Sequence, residues 1–437
     1  MKYATEARAT ELPLFQAAGA VSLVYDLQTF KWKDRRTGIS QTEVRLANGR
    51  FLAVETLLNE FWTNRQRQAD RLHEISYRAC FKPQLPRFFI ERLTRLGDVV
   101  YDPFMGRGTT PLEAALLGRV PFGNDINPLC RFLLEPRLNP PPPAQVAGRL
   151  DQIDFQTLTG PEETVECQVT TEDLLVFYHP DTLREIRALR GYLLRREKSG
   201  ELDSIDRWIR MVALNRLSGH SPGFFSVYTL PPNQAVSVKA QRRINERRQQ
   251  IPPRRQVPEL ILSKSQTLLS DCDAHRRQML CRIAIRSRLL TKPAWTTPEI
   301  RAGSVDLVVT SPPFLDVVNY AGDNWLRCWF CGIDPASVDL TVPKAPGAWR
   351  EAMTATFREL ARVLKPGGHI AFEVGEVLKG KLKLEEIVLL CGVEAGLEPL
   401  LVMINSQTFT KTANCWGVDN NDKGTNTNRI VLFQKLR

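Results

Sequence analysis

"VVYDPFMGRGTTPLEAALLGRVPFGNDINP", residues 99–128, changes its hydrophobic period twice. Residues 98–103 read as a strand that ends at Phe104. Leu112, Ala114, Ala115 and Leu116 follow at helical spacing, and Val120 to Phe122 open a second strand. Gly106 and Gly108 stand between the first strand and the helix. Without Cβ atoms they allow a tight turn and let a ligand approach the backbone, while the helix start offers free N–H groups to an anion. Asp125 closes the second strand about twenty residues after the first ends, where a carboxylate can hold a ribose diol. The order strand, turn, helix, strand, acid predicts an α/β fold with a nucleoside-type ligand. It leaves a dinucleotide and S-adenosylmethionine both open, and a plain glycine turn is the alternative.

Working outward, "LPRFFIERLTRLG" upstream reads as a helix, and Asn48-Gly49 as the turn of a hairpin within residues 1–70. Downstream, "EPRLNPPPPAQ" carries four consecutive prolines and reads as an extended linker. Residues from about 140 to 265 are largely helical and basic, as in "HPDTLREIRALRGYLLRRE". The α/β pattern resumes with the strand "VDLVVTSPPF" and continues through a helix, "WREAMTATFRELARVLKPGG", and a strand, "HIAFEVGEV". The helix "KLEEIVLLCGVEAG" and two late strands complete it. The expected architecture is a Rossmann-like doubly wound sheet interrupted by a mainly helical insertion. Its expected parts are an N-terminal extension (1–70), a ligand-binding half (71–134), the basic insertion (135–265) and a second half of the sheet domain (266–437).

The 437 residues are 43% hydrophobic and 24% charged, ordinary for a globular chain large enough to bury more than one core. No window approaches eighteen uninterrupted apolar residues and "MKYATEARATELPLF" lacks a signal-peptide core, so a cytoplasmic protein without membrane contact is expected. Nine cysteines are scattered, and Cys328 and Cys331, the one C-x-x-C, sit in the apolar run "NWLRCWFCG". Buried free thiols are expected there, not a metal site. The net charge is +11 and the sequence pI about 9.3, which points to a polyanionic partner. The run Lys239 to Arg255, "KAQRRINERRQQIPPRR", concentrates it, with seven basic residues against one glutamate. A solvated helix face is the alternative; as a nucleic-acid contact it would use Arg242, Arg243, Arg247 and Arg248.

The strand "VDLVVT" runs into Ser311-Pro312-Pro313-Phe314. Two prolines forbid further ladder bonding, fix φ, and leave carbonyls to be aimed instead of paired. A hydroxyl with aimed carbonyls suits an exocyclic NH2 group, and Phe314 offers a face on which a planar base could stack. A proline-terminated strand with Phe314 in the core is the plainer alternative.

In that order, "DPFMGRGTT", "GNDINP" and "VDLVVTSPPF" resemble the amino-methyltransferases of DNA, and among them the type that methylates N4 of cytosine. Those enzymes share an F-x-G-x-G cofactor motif and an (S/N/D)-P-P-(Y/F/W) catalytic motif. "YRACFKPQLPRFFIERL", "LKPGGHIAFEVGE" and "TNRIVLF" are similar to further elements of that family, and the resemblance covers roughly 72–130 and 265–437. It implies S-adenosyl-L-methionine as cofactor, held by Phe81, Pro83, Asp102, Phe104, Gly106, Gly108 and Thr109, with Asp125 on the ribose. Asp273, or Asp271 beside it, matches poorly the family's carboxylate near the adenine amine. Ser311, Pro312, Pro313 and Phe314 take the catalytic roles; phenylalanine at 314 is less common than tyrosine and lacks its hydroxyl.

The resemblance further implies double-stranded DNA as partner, a base flipped out of the duplex, and no metal. Target recognition falls to the insertion, where "NRLSGHSPGFFSVYTLPPNQ" offers His220 and Tyr228 among amides and hydroxyls. A restriction endonuclease is a candidate partner, and action alone is the other case. N6 of adenine, an RNA or protein amine, and a catalytically silent DNA-binding protein are the competing readings. A dehydrogenase is disfavoured, since S-P-P-F has no role in hydride transfer.

Overall fold

The computed structural model describes residues 20–32, 34–62, 69–77, 80–156, 169–230, 235–313, 320–334, 338, 343, 345–375, 382–406 and 427–436. The chain opens with helix α1 (Ala20–Thr29), a two-stranded ladder of β1 (Lys31–Trp32) and β2 (Arg35–Arg36), and the hairpin β3 (Gly38–Arg45) and β4 (Phe51–Asn59). Gly49 makes its turn at φ 83°, as the Asn-Gly pair predicts. Next come α2 (Gln84–Leu93), β5 (Val99–Asp102), α3 (Thr109–Leu116), β6 (Val120–Asn124) and α4 (Pro128–Leu138). A helical block follows: α5 (Pro143–Gln152), α6 (Thr171–Leu175), α7 (Pro180–Lys198), α8 (Ser204–Leu214), α9 (Val238–Arg248), α10 (Val257–Leu269) and α11 (Ala274–Ala284). The sheet then resumes with β7 (Arg288–Leu290), β8 (Val305–Thr310), α12 (Tyr320–Cys331), α13 (Pro346–Val363), β9 (Leu364–Val374), α14 (Leu384–Glu394), β10 (Glu398–Ser406) and β11 (Thr427–Gln434).

Nine strands form one sheet in the order β3-β4-β10-β11-β9-β8-β5-β6-β7. From β9 to β7 neighbouring strands are parallel, while β11 runs against both β9 and β10. The chain leaves β5 toward β6 and β7, then returns on the other side of β5 as β8. The topological switch point therefore lies between β5 and β8, where open α/β sheets leave a crevice for ligands.

Both faces of the sheet are covered, which is why its central strands read as apolar runs. Leu307 and Val309 of β8 face one layer with Phe88, Phe89, Val100 and Ala371. Val308 faces the other, with Tyr101, Ile370, Trp349 and Phe357. A register shift between Val305 and Leu307 breaks the alternation, so Val305 joins Val308 on the second face.

Two sequence expectations change. The proline run is a tight joint, not an extended linker: α4 ends at Leu138, α5 begins at Pro143, and Pro140 and Pro141 are buried. Proline at the first position of a helix costs no hydrogen bond, which lets α5 start inside the run. The hairpin of residues 38–59 is not a separate appendage either, since β4 pairs with β10 from Val402↔Thr56 to Asn405↔Asn59. The helical block has its own core, from Leu129 of α4 through Trp208 of α8 and Leu268 of α10. Helix α12, with Cys328 and Cys331, buries itself in that core. Among the described residues no helix is long and apolar enough to cross a membrane.

Candidate active site

Strand β5 delivers Asp102, and the turn after it is fixed from both sides. Gly106 and Gly108 hold φ of 49° and 79°, a region L residues with side chains rarely enter. A Cβ on Gly108 would also stand 2.7 Å from the Leu134 side chain, so α4 closes on the turn only because that atom is missing. Asp125 at the end of β6 binds the turn directly: its carboxylate accepts the Gly106 N–H at 2.9 Å and the Asn127 N–H at 2.9 Å. Burial raises its pKa, and these two N–H groups pull it back. Helix α3 starts at Thr109 with no side-chain cap, leaving its first N–H groups for a ligand.

The segment expected to contact the cofactor lies against this turn. The Arg107 guanidinium reaches out to it, donating to the Ile75 carbonyl at 2.9 Å and the Phe81 carbonyl at 3.5 Å. Its Nε donates to the Thr109 hydroxyl at 3.2 Å. The buried Arg137 donates to the Arg107 carbonyl and, at 3.2 Å, to the Leu72 carbonyl. Burial lowers its pKa to about 9. Tyr77 packs beside Gly106, its ring 3.8 Å from where a Cβ would stand. Phe81 lies half-buried against the core and Pro83 begins α2. The sequence reading missed Tyr77, Arg107 and Arg137, whose roles depend on contacts made after folding.

Across the switch point, Thr310 ends β8 and donates its hydroxyl to Asp102 at 2.6 Å. The same carboxylate oxygen takes the Phe104 N–H at 3.1 Å. Burial, with Asp125 nearby, raises the Asp102 pKa to about 7 against the pull of these bonds. Asp102 thus ties the ends of β5 and β8 together, and Ser311 follows one residue on. A hydrogen bond links the Ser311 hydroxyl to the buried Glu373 carboxylate of β9. Asn428 of β11 donates to the same carboxylate at 3.0 Å, and burial raises its pKa. Glu373 escaped the sequence reading, although a lone acid at the carboxyl end of an apolar strand was the available signal.

The four positions of S-P-P-F are not equivalent. The Pro313 carbonyl is spent on the loop itself, accepting the buried Trp349 indole N–H at 3.0 Å. Among the described residues no donor meets the Pro312 carbonyl. Phe314 lies outside the described residues. Asp273 is committed elsewhere: it caps α11, accepting the Arg276 N–H at 2.7 Å. Asp271 accepts the Arg71 N–H at 3.1 Å. Asp273 is thus used within its own helix and Asp271 on the segment before α2.

The proposed readers of DNA do come together. Arg242, Arg243, Arg247 and Arg248 are exposed along α9. The Arg248 guanidinium lies 3.9 Å over the Tyr228 ring, while Gln241 and Gln250 each donate to the Tyr228 carbonyl at 3.0 Å. His220 sits in the same loop, its ring 6.1 Å from that of Phe224. Asn215, at the base of the loop, accepts the Ser76 N–H at 2.6 Å, which joins the loop to the segment lining the glycine turn.

Residues 28–131 match the family model described as DNA methylase, for N6 and N4 enzymes. Over that stretch the chain is similar to the amino-methyltransferases of DNA. The match begins before β3, so the family's pattern takes in the hairpin that the sequence reading set apart. Among curated relatives, the type II methyltransferase M.BsoBI of Geobacillus stearothermophilus is 21% identical over 60% of this chain and 53% of its own length. The type II methyltransferase M.MthZI of Methanothermobacter thermautotrophicus is 30% identical over 30% of this chain and 40% of its own. The chain thus spans about half or less of the length of these relatives. Among solved structures, the rRNA methyltransferase aviRa of Streptomyces viridochromogenes is 11% identical, covering 86% of this chain and 94% of its own at a TM-score of 0.33.

The cofactor of these amino-methyltransferases is S-adenosylmethionine, and the residues present fit it. The glycine turn would present its backbone to the cofactor, and Asp125, at the end of the next strand, would face its ribose. The uncapped start of α3 can meet the carboxylate of an amino acid.

Proposed function

We propose that this protein methylates the exocyclic amine of a base flipped out of duplex DNA, with N4 of cytosine as the target. One observation carries the reading. Ser311 and Pro312 stand at the end of β8, and the Thr310–Asp102 bond ties that end across the switch point to β5, the strand that leads into the glycine turn.

When bound, the cofactor supplies an electrophilic sulfonium methyl. The protein's part is to orient the amine and take its proton. The Ser311 hydroxyl donates to Glu373, so its oxygen is left to accept one hydrogen of the target NH2, and the Pro312 carbonyl accepts the other. Both bonds draw the nitrogen lone pair out of conjugation with the ring and toward the methyl. As the N–C bond forms and the C–S bond breaks, the nitrogen becomes positive and must lose a proton. Ser311 passes that proton to Glu373, whose raised pKa makes it a better acceptor. Pro313 and Trp349 hold the loop still meanwhile.

The test is transfer of labelled methyl from S-adenosylmethionine to plasmid DNA, with tRNA in parallel. Label in DNA alone is the expected result. Label in tRNA alone would overturn the substrate class.

A further inference from the structure

A cluster of cations lies beyond the glycine turn, at the junction of the insertion with the segment lining it. Lys264 of α10 is half-buried, and its ammonium has one ion-pair partner among the described residues, Glu74, at 3.8 Å. Glu74 is already shared, since Arg71 binds its other oxygen at 3.0 Å. Arg216 joins them from the end of α8. It has no ion-pair partner among the described residues, donating instead to the Asn215 carbonyl at 2.8 Å and the Gly223 carbonyl at 3.3 Å. Its guanidinium lies 4.0 Å over the Phe224 ring. The neighbouring acids are engaged elsewhere: Asp271 is exposed and accepts the Arg71 N–H, and Asp70 pairs with Arg276.

Two cations therefore share one carboxylate in a partly desolvated place, with Arg216 close enough to Lys264 to act on its charge. Charges so placed are costly unless an anion joins them. The cost is visible: burial, with Arg216 nearby, lowers the Lys264 pKa to about 8, and burial lowers that of Arg216 to about 10. The location is as telling. Glu74 is three residues before Tyr77, which packs on Gly106, so the cluster lies within about 11 Å of chain reach from that contact.

We propose that Arg216, Lys264 and Arg71 form a binding site for a backbone phosphate of duplex DNA, next to the place where the flipped nucleotide enters. The site rests on the DNA reading above and deepens it. Arg216 offers a planar fork to phosphate oxygens and Lys264 a point charge. Phe224 holds the fork in place. Gly219 admits Phe224, because a Cβ there would stand 2.5 Å from the ring.

The experiment uses the full chain and a labelled duplex of about 30 base pairs, titrated across salt concentrations. Lys264→Gln should weaken binding roughly tenfold at low salt and reduce the slope of log affinity against log salt by about 0.9, the share of one phosphate. Lys264→Arg should retain both. Near pH 8, duplex binding by the wild type should take up a proton, read by calorimetry in buffers of different ionisation enthalpy. Lys264→Gln should abolish that uptake while keeping its affinity for S-adenosylmethionine. An unchanged slope in Lys264→Gln, with a wild type that methylates DNA, would overturn the phosphate site alone. A parallel loss of cofactor affinity would do the same, by making Lys264 a structural residue. A slope change on RNA but not on the duplex would overturn the assignment to DNA. A wild type that neither binds nor methylates the duplex would overturn both readings.

Discussion

Asp102 shows how a single carboxyl can be structural and still reach the chemistry. It is buried at the switch point, and its folded pKa of about 7 stands above the ordinary 3.8. The unfolded chain gives up this proton near pH 4, whereas the folded protein keeps it to about pH 7. Its neutral form therefore supports the fold fully below about pH 4, and that support is lost as pH rises through the window to 7. The slope is up to about 1.4 kcal/mol per pH unit. Asp102→Asn cannot ionise, yet it keeps an acceptor for Thr310 and Phe104. Urea unfolding should show the variant gaining on wild type from pH 5 to about 7.5, and parallel curves would exclude the shift. Comparison with wild type matters because His369, lowered by burial to about 4, loses stability in the opposite direction as pH falls below 6.5. In the proposed mechanism Ser311 acts on the amine itself. Ser311→Ala should lower the methylation rate by roughly two to three orders of magnitude with nearly unchanged cofactor affinity. Glu373→Gln should lower it less and shift its acid limb, since the proton acceptor is replaced by a neutral amide. A fully active Ser311→Ala protein would remove this loop from the mechanism.

Among the elements, legibility followed how local each signal was. The β5–α3–β6 unit was readable because strand period, glycine turn and terminal acid lie within a few turns of chain. Strand β7 was not: Arg288–Leu290 is three residues long and pairs with β6 only because that edge was vacant. Helix α12 read only as an apolar run, since its partners Phe177 and Arg190 stand far away in sequence. Glu373 was hidden for the same reason, because its meaning comes from Ser311 and Asn428 on neighbouring strands. Helix α9 is the reverse case, plain in sequence and sparsely anchored in the fold. Its four arginines are exposed, and Arg248 is held on Tyr228. Replacing Arg242, Arg243, Arg247 and Arg248 together by Gln should weaken duplex binding and flatten its salt dependence by up to about 0.9 log units for each phosphate no longer neutralised. Circular dichroism and melting should hardly move, because the exposed side chains bury no core. An unchanged salt slope would return α9 to a solvated face.

At the scale of the molecule, the proposed function puts the target amine at the corner where β5 and β8 end, and the identity of the base is the remaining choice. Serine at the first position of the S-P-P-F motif goes, in the resembled family, with N4 of cytosine, and aspartate or asparagine with N6 of adenine. Cytosine N4 is flanked by the N3 acceptor and adenine N6 by N1, so repulsion from a carboxylate would burden either ring. The Ser311–Glu373 pair softens it by placing a hydroxyl at the amine and the charge one hydrogen bond further back. That arrangement admits both bases and leaves size to decide. Cytosine, the single ring, needs less depth between the strand ends that Asp102 and Thr310 hold together. A purine would need more room beside the loop fixed by the Trp349–Pro313 bond. N4-methylcytosine is therefore the expected product when DNA methylated by this protein is digested to nucleosides and separated by mass spectrometry. Trp349→Phe, which frees the Pro313 carbonyl and loosens the loop, should lower the rate while leaving the product unchanged. N6-methyladenine as the sole product would overturn the base assignment, and the corner built by Asp102, Thr310 and Ser311 would then have to accept the larger ring.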